Sequence, residues 1–166
     1  MIGDAAVAGS GSMIGNGLRI NINGDKTARV LVDNNVIRQC PNGRGIEVIC
    51  RNGIGGADVT VTNNNVNTND VSGFPLCAIF MQSNDITVPN TLRADVRSNT
   101  VPAGTAFDVL ATFIGLAETG TSTLQLVDTP PASANATAQL TSTNTGSASA
   151  NAGVALIAGP INLPPP

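Results

Sequence analysis

The stretch LVDNNVI, residues 31–37, carries the pattern from which the fold can be predicted. Its Val32 lies three positions before Asn35, and Ile37 lies two positions after it. The same spacing recurs at four further sites, which are Ile49–Asn52–Ile54, Val61–Asn64–Val66, Met81–Asn84–Ile86 and Val96–Asn99–Val101. Counting the template along a chain of this composition gives roughly one match by chance, so the pattern indicates a repeat.

The asparagines of this pattern fall into two interleaved series. Asn35, Asn64 and Asn99 each follow a valine-rich strand, whereas Asn52 and Asn84 follow a second kind of strand. Within each series the asparagines are about 30 residues apart, so one repeat holds two or three short strands and their turns. The sequence therefore predicts an all-β fold, a right-handed parallel β-helix (a solenoid) of about five rungs.

Stacking gives such a repeat a physical reason. Equivalent strands of successive rungs lie about 4.8 Å apart, and a single rung cannot bury its inner apolar face alone. At corners, asparagine tolerates the left-handed backbone of a sharp bend, and stacked amides can bond between rungs. We therefore predict structural corner asparagines at Asn35, Asn52, Asn64, Asn84, Asn99 and Asn144. A β-sandwich with asparagine in ordinary β-turns is the alternative, because the repeat length is uneven.

The composition restricts the function classes. The 166 residues are 42% hydrophobic but include no Trp or Tyr, which suits layered packing of small and branched side chains. Only 11% are charged, the net charge is -3 and His is absent, so there is no basic patch for nucleic acid and no histidine for metal binding or acid–base work. No run approaches the roughly 18 apolar residues of a membrane span. Neither nucleic acid nor a membrane is an expected partner.

The three cysteines are Cys40, Cys50 and Cys77, an odd number that allows at most one disulfide. Cys40 and Cys50 flank a short loop and strand, so a disulfide between them is the pairing that the sequence suggests. The alternative is that all three are reduced and buried, and act as small hydrophobic residues.

The chain is predicted to form one domain. Residues 1–16 form an N-terminal edge segment, residues 17–157 the stacked rungs, and residues 158–166 a proline-rich tail. Asn144 follows Asn99 by 45 residues, so the last rung is expected to be irregular and to carry an excursion. The final prolines have no N–H to donate and would end the stack. The first 15 residues lack the features of a signal peptide, so a secretion signal would lie outside this sequence.

The units LVDNNVI…RGIEVIC and VTVTNNNVN…CAIFMQSND resemble the right-handed parallel β-helix repeat of the pectate-lyase-like superfamily. They are most similar to β-helix segments near the C-termini of large secreted bacterial surface proteins. That resemblance implies a secreted, extracellular or cell-surface location and a structural or adhesive role. Enzymes of the superfamily act on acidic polysaccharides with clustered Asp, an Arg or Lys base and sometimes calcium, which implies a carbohydrate-active alternative.

Catalysis would need clustered charges that face outward from the predicted strands. Asp33, Asp95 and Arg97 are the candidates, with the two carboxylates expected about 9–10 Å apart, at or beyond the wide end of the inverting-glycosidase range. Asp95 and Arg97 are more simply a surface ion pair, so no catalytic residue, metal site or cofactor is assigned. The loop Asn67-Thr68-Asn69-Asp70 offers oxygen ligands for calcium, although a solvated turn is the favoured interpretation.

The function expected from the sequence is a non-catalytic extracellular structural or adhesive β-helix module. Its partners would be further copies that stack end to end into a fibre through open strand edges, or neighbouring domains of a larger surface protein. The alternative is a polysaccharide lyase or glycoside hydrolase-like domain with polysaccharide as its partner.

Overall fold

The chain folds as a parallel β-solenoid of about 4 turns in a computed structural model that describes residues 1–4, 6–7, 10–68, 77–85, 88–101, 113–120, 122–128 and 133–161. Its elements are β1 (Leu18–Asn23), β2 (Thr27–Asp33), β3 (Val36–Arg38), β4 (Ile46–Arg51), β5 (Gly56–Thr62), β6 (Asn65–Asn67), β7 (Ile79–Asp85), β8 (Thr91–Arg97), β9 (Phe113–Gly120), β10 (Thr123–Asp128), α1 (Ala136–Thr143), β11 (Ser147–Ala150) and β12 (Ala155–Ala158).

Three faces run along the solenoid. Sheet I has the strand order β1-β4-β7-β9-β11, and sheet II has the order β2-β5-β8-β10-β12. The third face holds β3 and β6, and single-residue bridges extend it through Ile2, Thr100 and Thr145. Every strand pair among the described residues is parallel and joins successive turns, so the predicted all-β parallel β-helix is confirmed.

The core consists of columns of aliphatic side chains. In β2 the alternation TARVLVD turns Val30 and Val32 inward, while Arg29, Leu31 and Asp33 face solvent. Val32 is in register with the next two valines of its column, Val61 and Val96, and all three are buried. Because each buried side chain of this size contributes about 1.5–3 kcal/mol, the columns supply most of the driving force for stacking.

The corner that leaves sheet II bends at the residue before each asparagine of the first series. Asn34, Asn63 and Ser98 have φ of 56°, 56° and 57°, in the left-handed region. The prediction that Asn35, Asn64 and Asn99 supply this geometry is therefore corrected by one position. Asparagine and serine are small polar residues, and asparagine in particular tolerates this conformation well.

A helix interrupts the fourth rung. Helix α1 begins after Asn135, whose side chain accepts a hydrogen bond from the Ala138 N–H, and ends at Asn144. The sequence predicted an excursion between Asn99 and Asn144 but no helix, because the segment ATAQLTST has little amphipathic pattern and buries only Ala136, Gln139 and Leu140. Within the described ranges, no helix is both long and apolar enough to cross a membrane.

Candidate functional site

A ladder of asparagine side chains stands on the corner that leaves sheet II. The Oδ1 atom of Asn64 accepts the backbone N–H of Asn35 at 3.0 Å and its side-chain N–H at 2.9 Å. Asn99 accepts the same pair of bonds from Asn64, and Asn144 accepts it from Asn99, at the same distances. The three acceptors also donate from Nδ2 to strand carbonyls, those of Val32, Val61 and Val96. The ladder thus fixes the register of four successive rungs.

The second asparagine series does not form such a ladder. Asn52 lies at a corner with φ of 59°, and its exposed side chain donates to Asn23 Oδ1 at 3.2 Å. Asn84 lies inside β7, in register with Thr119, which corrects the prediction of a corner there. The two asparagines match in spacing but not in register, because the connections between sheet I and sheet II differ in length from rung to rung.

The predicted outer-face residues lie on sheet II but do not form one column. Asp33 is in register with Thr62 and Arg97, whereas Asp95 is in register with Thr60. Asp33 is therefore displaced from Asp95 by two strands and two residues, about 12 Å from the strand dimensions, which exceeds the expected 9–10 Å.

Each of the two carboxylates has its own partners. Asn63 Nδ2 and Thr62 Oγ1 donate to Asp33 at 2.8 and 2.9 Å, and these hydrogen bonds lower the pKa of Asp33. Arg97 pairs with Asp95 at 3.1 Å. Burial raises the pKa of Asp95, and the charge of Arg97 opposes that shift.

A cleft of about 250 Å³ opens beside the Asp95–Arg97 pair. Its lining includes Asp128, on the neighbouring strand β10, and the segment 158–160 that follows β12. Two carboxylates and a guanidinium thus line one concavity, and one of the carboxylates has a raised pKa, an arrangement suited to an acid–base pair. Asp128 was not predicted as a site residue, because the irregular last third of the sequence does not reveal how its strand is aligned with the strand that carries Asp95.

Sheet II also carries a buried ion pair that the sequence analysis missed. Asp58 is 1% exposed, and Arg93 Nη2 lies 2.6 and 2.8 Å from its two carboxylate oxygens. Arg29 stands in register with Asp58 on the outermost strand β2. The alternation of GADVTVT and TLRADVR would have placed both Asp58 and Arg93 on the outer face.

A second buried carboxylate lies on the outer face of sheet I. Glu47 is 2% exposed and is bound by Arg19 Nε at 2.7 Å, by Asn16 Nδ2 at 2.7 Å and by Arg44. The Arg44 guanidinium also lies 3.9 Å from the centroid of the Phe80 ring. Arg19 and Glu47 are Cα partners, so the motifs GLRI and GIEV could have signalled this cross-strand pair. The Glu47 carboxylate therefore joins the first two strands of sheet I to the segments that precede them.

The three cysteines are free and buried, so the suggested Cys40–Cys50 disulfide is not formed. Cys40 lies beside Gly17 at the start of sheet I, whereas Cys50 pairs with Ile22 near the far end of that strand pair. Five residues of strand span about 16 Å, far beyond the reach of a disulfide. Burial raises the pKa of Cys50, and it raises the pKa of Cys77 to about 11.

The calcium loop stays a prediction, since the loop is described as far as Thr68 and residues 69 and 70 lie outside the described residues. In the described part of the chain, no group of three or more His, Cys, Asp or Glu residues could hold a metal ion. The prolines at 164–166, predicted to end the stack, also lie outside it.

Both ends of the solenoid present unpaired strands. At the first end, β1 and β2 have a hydrogen-bonded neighbour on one side only, and at the second end the same holds for β11 and β12, among the residues described. The inward apolar side chains of these terminal rungs are only partly buried: Leu18, Ile20, Ala28 and Val30 at the first end, and Ala148, Ala150 and Leu156 at the second.

No protein-family model, curated protein or solved structure matches this chain.

Proposed function

We propose that this protein is a non-catalytic structural module of the secreted or cell-surface kind, which associates with further copies through its open strand edges. The observation that carries the proposal is that sheets I and II each end in an unpaired strand at both ends of the described solenoid. Unpaired parallel edges offer rows of free backbone donors and acceptors, which template the addition of another strand.

The side chains at these ends support the same function. Leu18, Ile20 and Val30 face the solenoid axis, yet they remain partly exposed because no rung covers them among the described residues. Docking of a further rung would remove this apolar surface from water, at about 25 cal/mol for each Å² buried. A structural module of this kind gains stability by lengthening.

The proposed extracellular setting and adhesive role rest on the surface composition. Only 11% of residues are charged, and the uncharged polar residues Thr27, Thr91 and Thr123 share one outward column of sheet II. Such a surface, together with the solenoid fold, fits the right-handed β-helix repeats of the pectate-lyase-like superfamily that the sequence resembles. We propose that the chain is secreted or lies at the bacterial cell surface, where it contacts neighbouring domains of a larger surface protein.

The test uses Leu31, which is 51% exposed on the edge strand β2. Alternate residues of a parallel strand direct their N–H groups to opposite sides. Thr91 and Thr123, which share the column of Thr27, donate toward the preceding rung, so Leu31, in the same phase, directs its N–H to the open side.

Leu31→Pro therefore removes a free edge donor without removing a bond inside the molecule. We expect the wild type to form oligomers that grow with concentration in sedimentation velocity, and Leu31→Pro to weaken association at least about tenfold, or 1.4 kcal/mol. Leu31→Ala, which keeps the N–H, is the matched control and should associate like the wild type. A wild type that stays monomeric at its highest soluble concentration, or a proline variant that associates unchanged, would overturn the proposal.

The cleft beside Asp95 favours a second candidate, a polysaccharide-active domain. Asp95 and Asp128 would serve as the acid–base pair and Arg97 would bind an acidic sugar. Assays of unsaturated and reducing-end products from pectin and alginate, with and without calcium, test this. Loss of activity in Asp95→Ala, with activity kept in Asp33→Ala because Asp33 lies outside the cleft, would support this second function. A wild type that is inactive on all of these substrates would reject it.

A further inference from the structure

The two ends of the solenoid are stepped in opposite senses. At the first end, Ile2 forms a bridge with Ile37, so the third face begins one level before β1 and β2. At the second end, Thr145 is the last residue of the third face among the residues described, and the chain then adds one more level to each sheet, as β11 and β12. The third face is thus shifted by one rung relative to the two sheets.

These steps fit together when unlike ends meet. If β1 and β2 of one copy dock on β11 and β12 of another, the Ile2 segment falls at the level that follows Thr145, where the third face needs its next strand. All three faces then continue as parallel stacks without a gap or an overlap. Like ends cannot do this, because two projecting Ile2 segments collide and two-fold pairing would make the strands antiparallel.

We infer that copies of this chain join head to tail, the β11–β12 end of one copy on the β1–β2 end of the next. The inference rests on the proposed self-association and adds its direction and register. A head-to-tail contact is heterologous and does not close on itself when the rotation is that of a solenoid, so the product is an open, polar filament.

The side chains of the two ends are complementary in size. Continuing the columns of sheet I places Ala148 on Leu18 and Ala150 on Ile20 of the next copy. Small residues thus meet large ones, which keeps the column volume close to that of the interior rungs. On sheet II the same continuation places Leu156 on Val30.

The described chain leaves the docking edge open after β12. Gly159 and Pro160 line the cleft with Asp95 and Arg97 on the outer face of sheet II. The segment therefore turns back over earlier strands, so it covers neither the edge of β12 nor the next level of the third face.

Cysteine cross-linking tests the direction and the register together. The column Arg29–Asp58–Arg93–Gln125–Ala155, continued by one strand, brings Ala155 opposite Arg29 of the next copy. Both residues are exposed, and Cα atoms facing each other across parallel strands lie about 4.8 Å apart, within disulfide reach. Ala155→Cys and Arg29→Cys proteins are prepared separately, mixed and oxidised.

The expected product is a disulfide-linked dimer of one Ala155→Cys chain with one Arg29→Cys chain, in at least tenfold excess over dimers of either variant alone. The register control is Asp33→Cys, four residues further along β2 and so about 13 Å away, which should not cross-link to Ala155→Cys. Wild-type protein gives the background, since its three cysteines are buried. Ser149→Cys with Arg19→Cys repeats the test independently on sheet I.

The outcomes separate the inference from the function on which it rests. If dimers of two identical variants formed in an amount equal to or greater than that of the mixed dimer, the head-to-tail direction would be overturned. Absence of both mixed cross-links in samples that still associate by sedimentation would overturn the register and leave the proposed self-association standing. A wild type that does not associate at all would overturn both.

Discussion

The corner that leaves sheet II and the corner that leaves sheet I perform the same bend with different regularity. After sheet II the first three rungs turn through two residues each, Asn34–Asn35, Asn63–Asn64 and Ser98–Asn99. After sheet I the first rung uses residues 24–26 and the second uses residues 52–55. In the described part of the chain, only the first of these corners carries a continuous ladder.

The difference shows what an asparagine ladder requires. Asn35, Asn64 and Asn99 stack because each of these three rungs supplies one left-handed residue and then one asparagine at the same height. At the other corner, Asn52 is itself the left-handed residue, and its exposed side chain donates to Asn23 Oδ1. The ladder therefore requires an asparagine at the same height in each rung, since amide groups one residue out of register cannot bond. Asn144 meets this requirement although helix α1 precedes it.

Asn64→Ala should give the largest loss. The backbone N–H of Asn35 would lose its acceptor, and the Val32 carbonyl would lose a donor, in a region where Asn64 is 1% exposed. Unsatisfied buried groups cost about 1–3 kcal/mol each, so we expect a loss of about 3 kcal/mol in the free energy of unfolding, read from urea midpoints.

The matched control for that variant is Asn52→Gly at the other corner, where glycine accepts the positive φ. This substitution should change the free energy of unfolding by less than about 0.5 kcal/mol. If both variants lost the same free energy of unfolding, the two corners would contribute equally to stability, and the proposed difference between them would be wrong.

Asn63→Ala should have an intermediate effect. Alanine retains a Cβ at φ of 56°, which costs about 1–2 kcal/mol, and it loses the bond to Asp33. Asn63→Gly loses the same bond without the backbone cost, so it should be about 1 kcal/mol more stable than Asn63→Ala. Thermal unfolding of the pair measures the difference, and a glycine variant no better than alanine would locate the cost in the side chain.

The pH dependence of Asp33 should be the smallest effect. Hydrogen bonds from Asn63 and Thr62 lower the pKa of Asp33, so its ionised form is favoured in the folded state. Its contribution to stability is present above the unfolded pKa near 3.8 and is lost as pH falls through the lower folded value. The wild type should therefore exceed Asp33→Asn in stability at pH 6 and lose this advantage progressively as the pH falls below 3.8, and an advantage that is unchanged in strongly acidic solution would contradict it.

The fold was accessible from the sequence because the repeated positions are those that stacking constrains. Val32, Val61 and Val96 are inward, and the asparagines three residues later hold the register, so one template found both. The form Gly–apolar–x–apolar occurs both at Gly17 and at Gly153, but Leu18 belongs to β1 on sheet I, whereas Ala155 and Leu156 belong to β12 on sheet II. A four-residue motif does not specify which sheet its strand joins.

The candidate sites were harder to predict, because they depend on lateral register. Asp33 and Asp95 face outward as expected, but their columns differ by two residues, which no spacing along the chain reveals. The Asp58–Arg93 and Glu47–Arg19 pairs follow from alternation once the partner strands are known. Helix α1 has no pattern of its own and forms because its N-cap and its contacts with the rungs support it.

The spacing of the asparagine ladder also sets an order of assembly along the chain. Its partners are separated by 29, then 35, then 45 residues. Since the entropy lost on closing a loop grows with the logarithm of its length, the first closure is the least costly, by about 0.4 kcal/mol relative to the last. Each closed rung then offers a template to the next, as in other one-dimensional stacks. Folding should thus start at the pair nearest the N-terminus and advance toward the helix-bearing rung, so the end that is synthesised first is also the end that folds first.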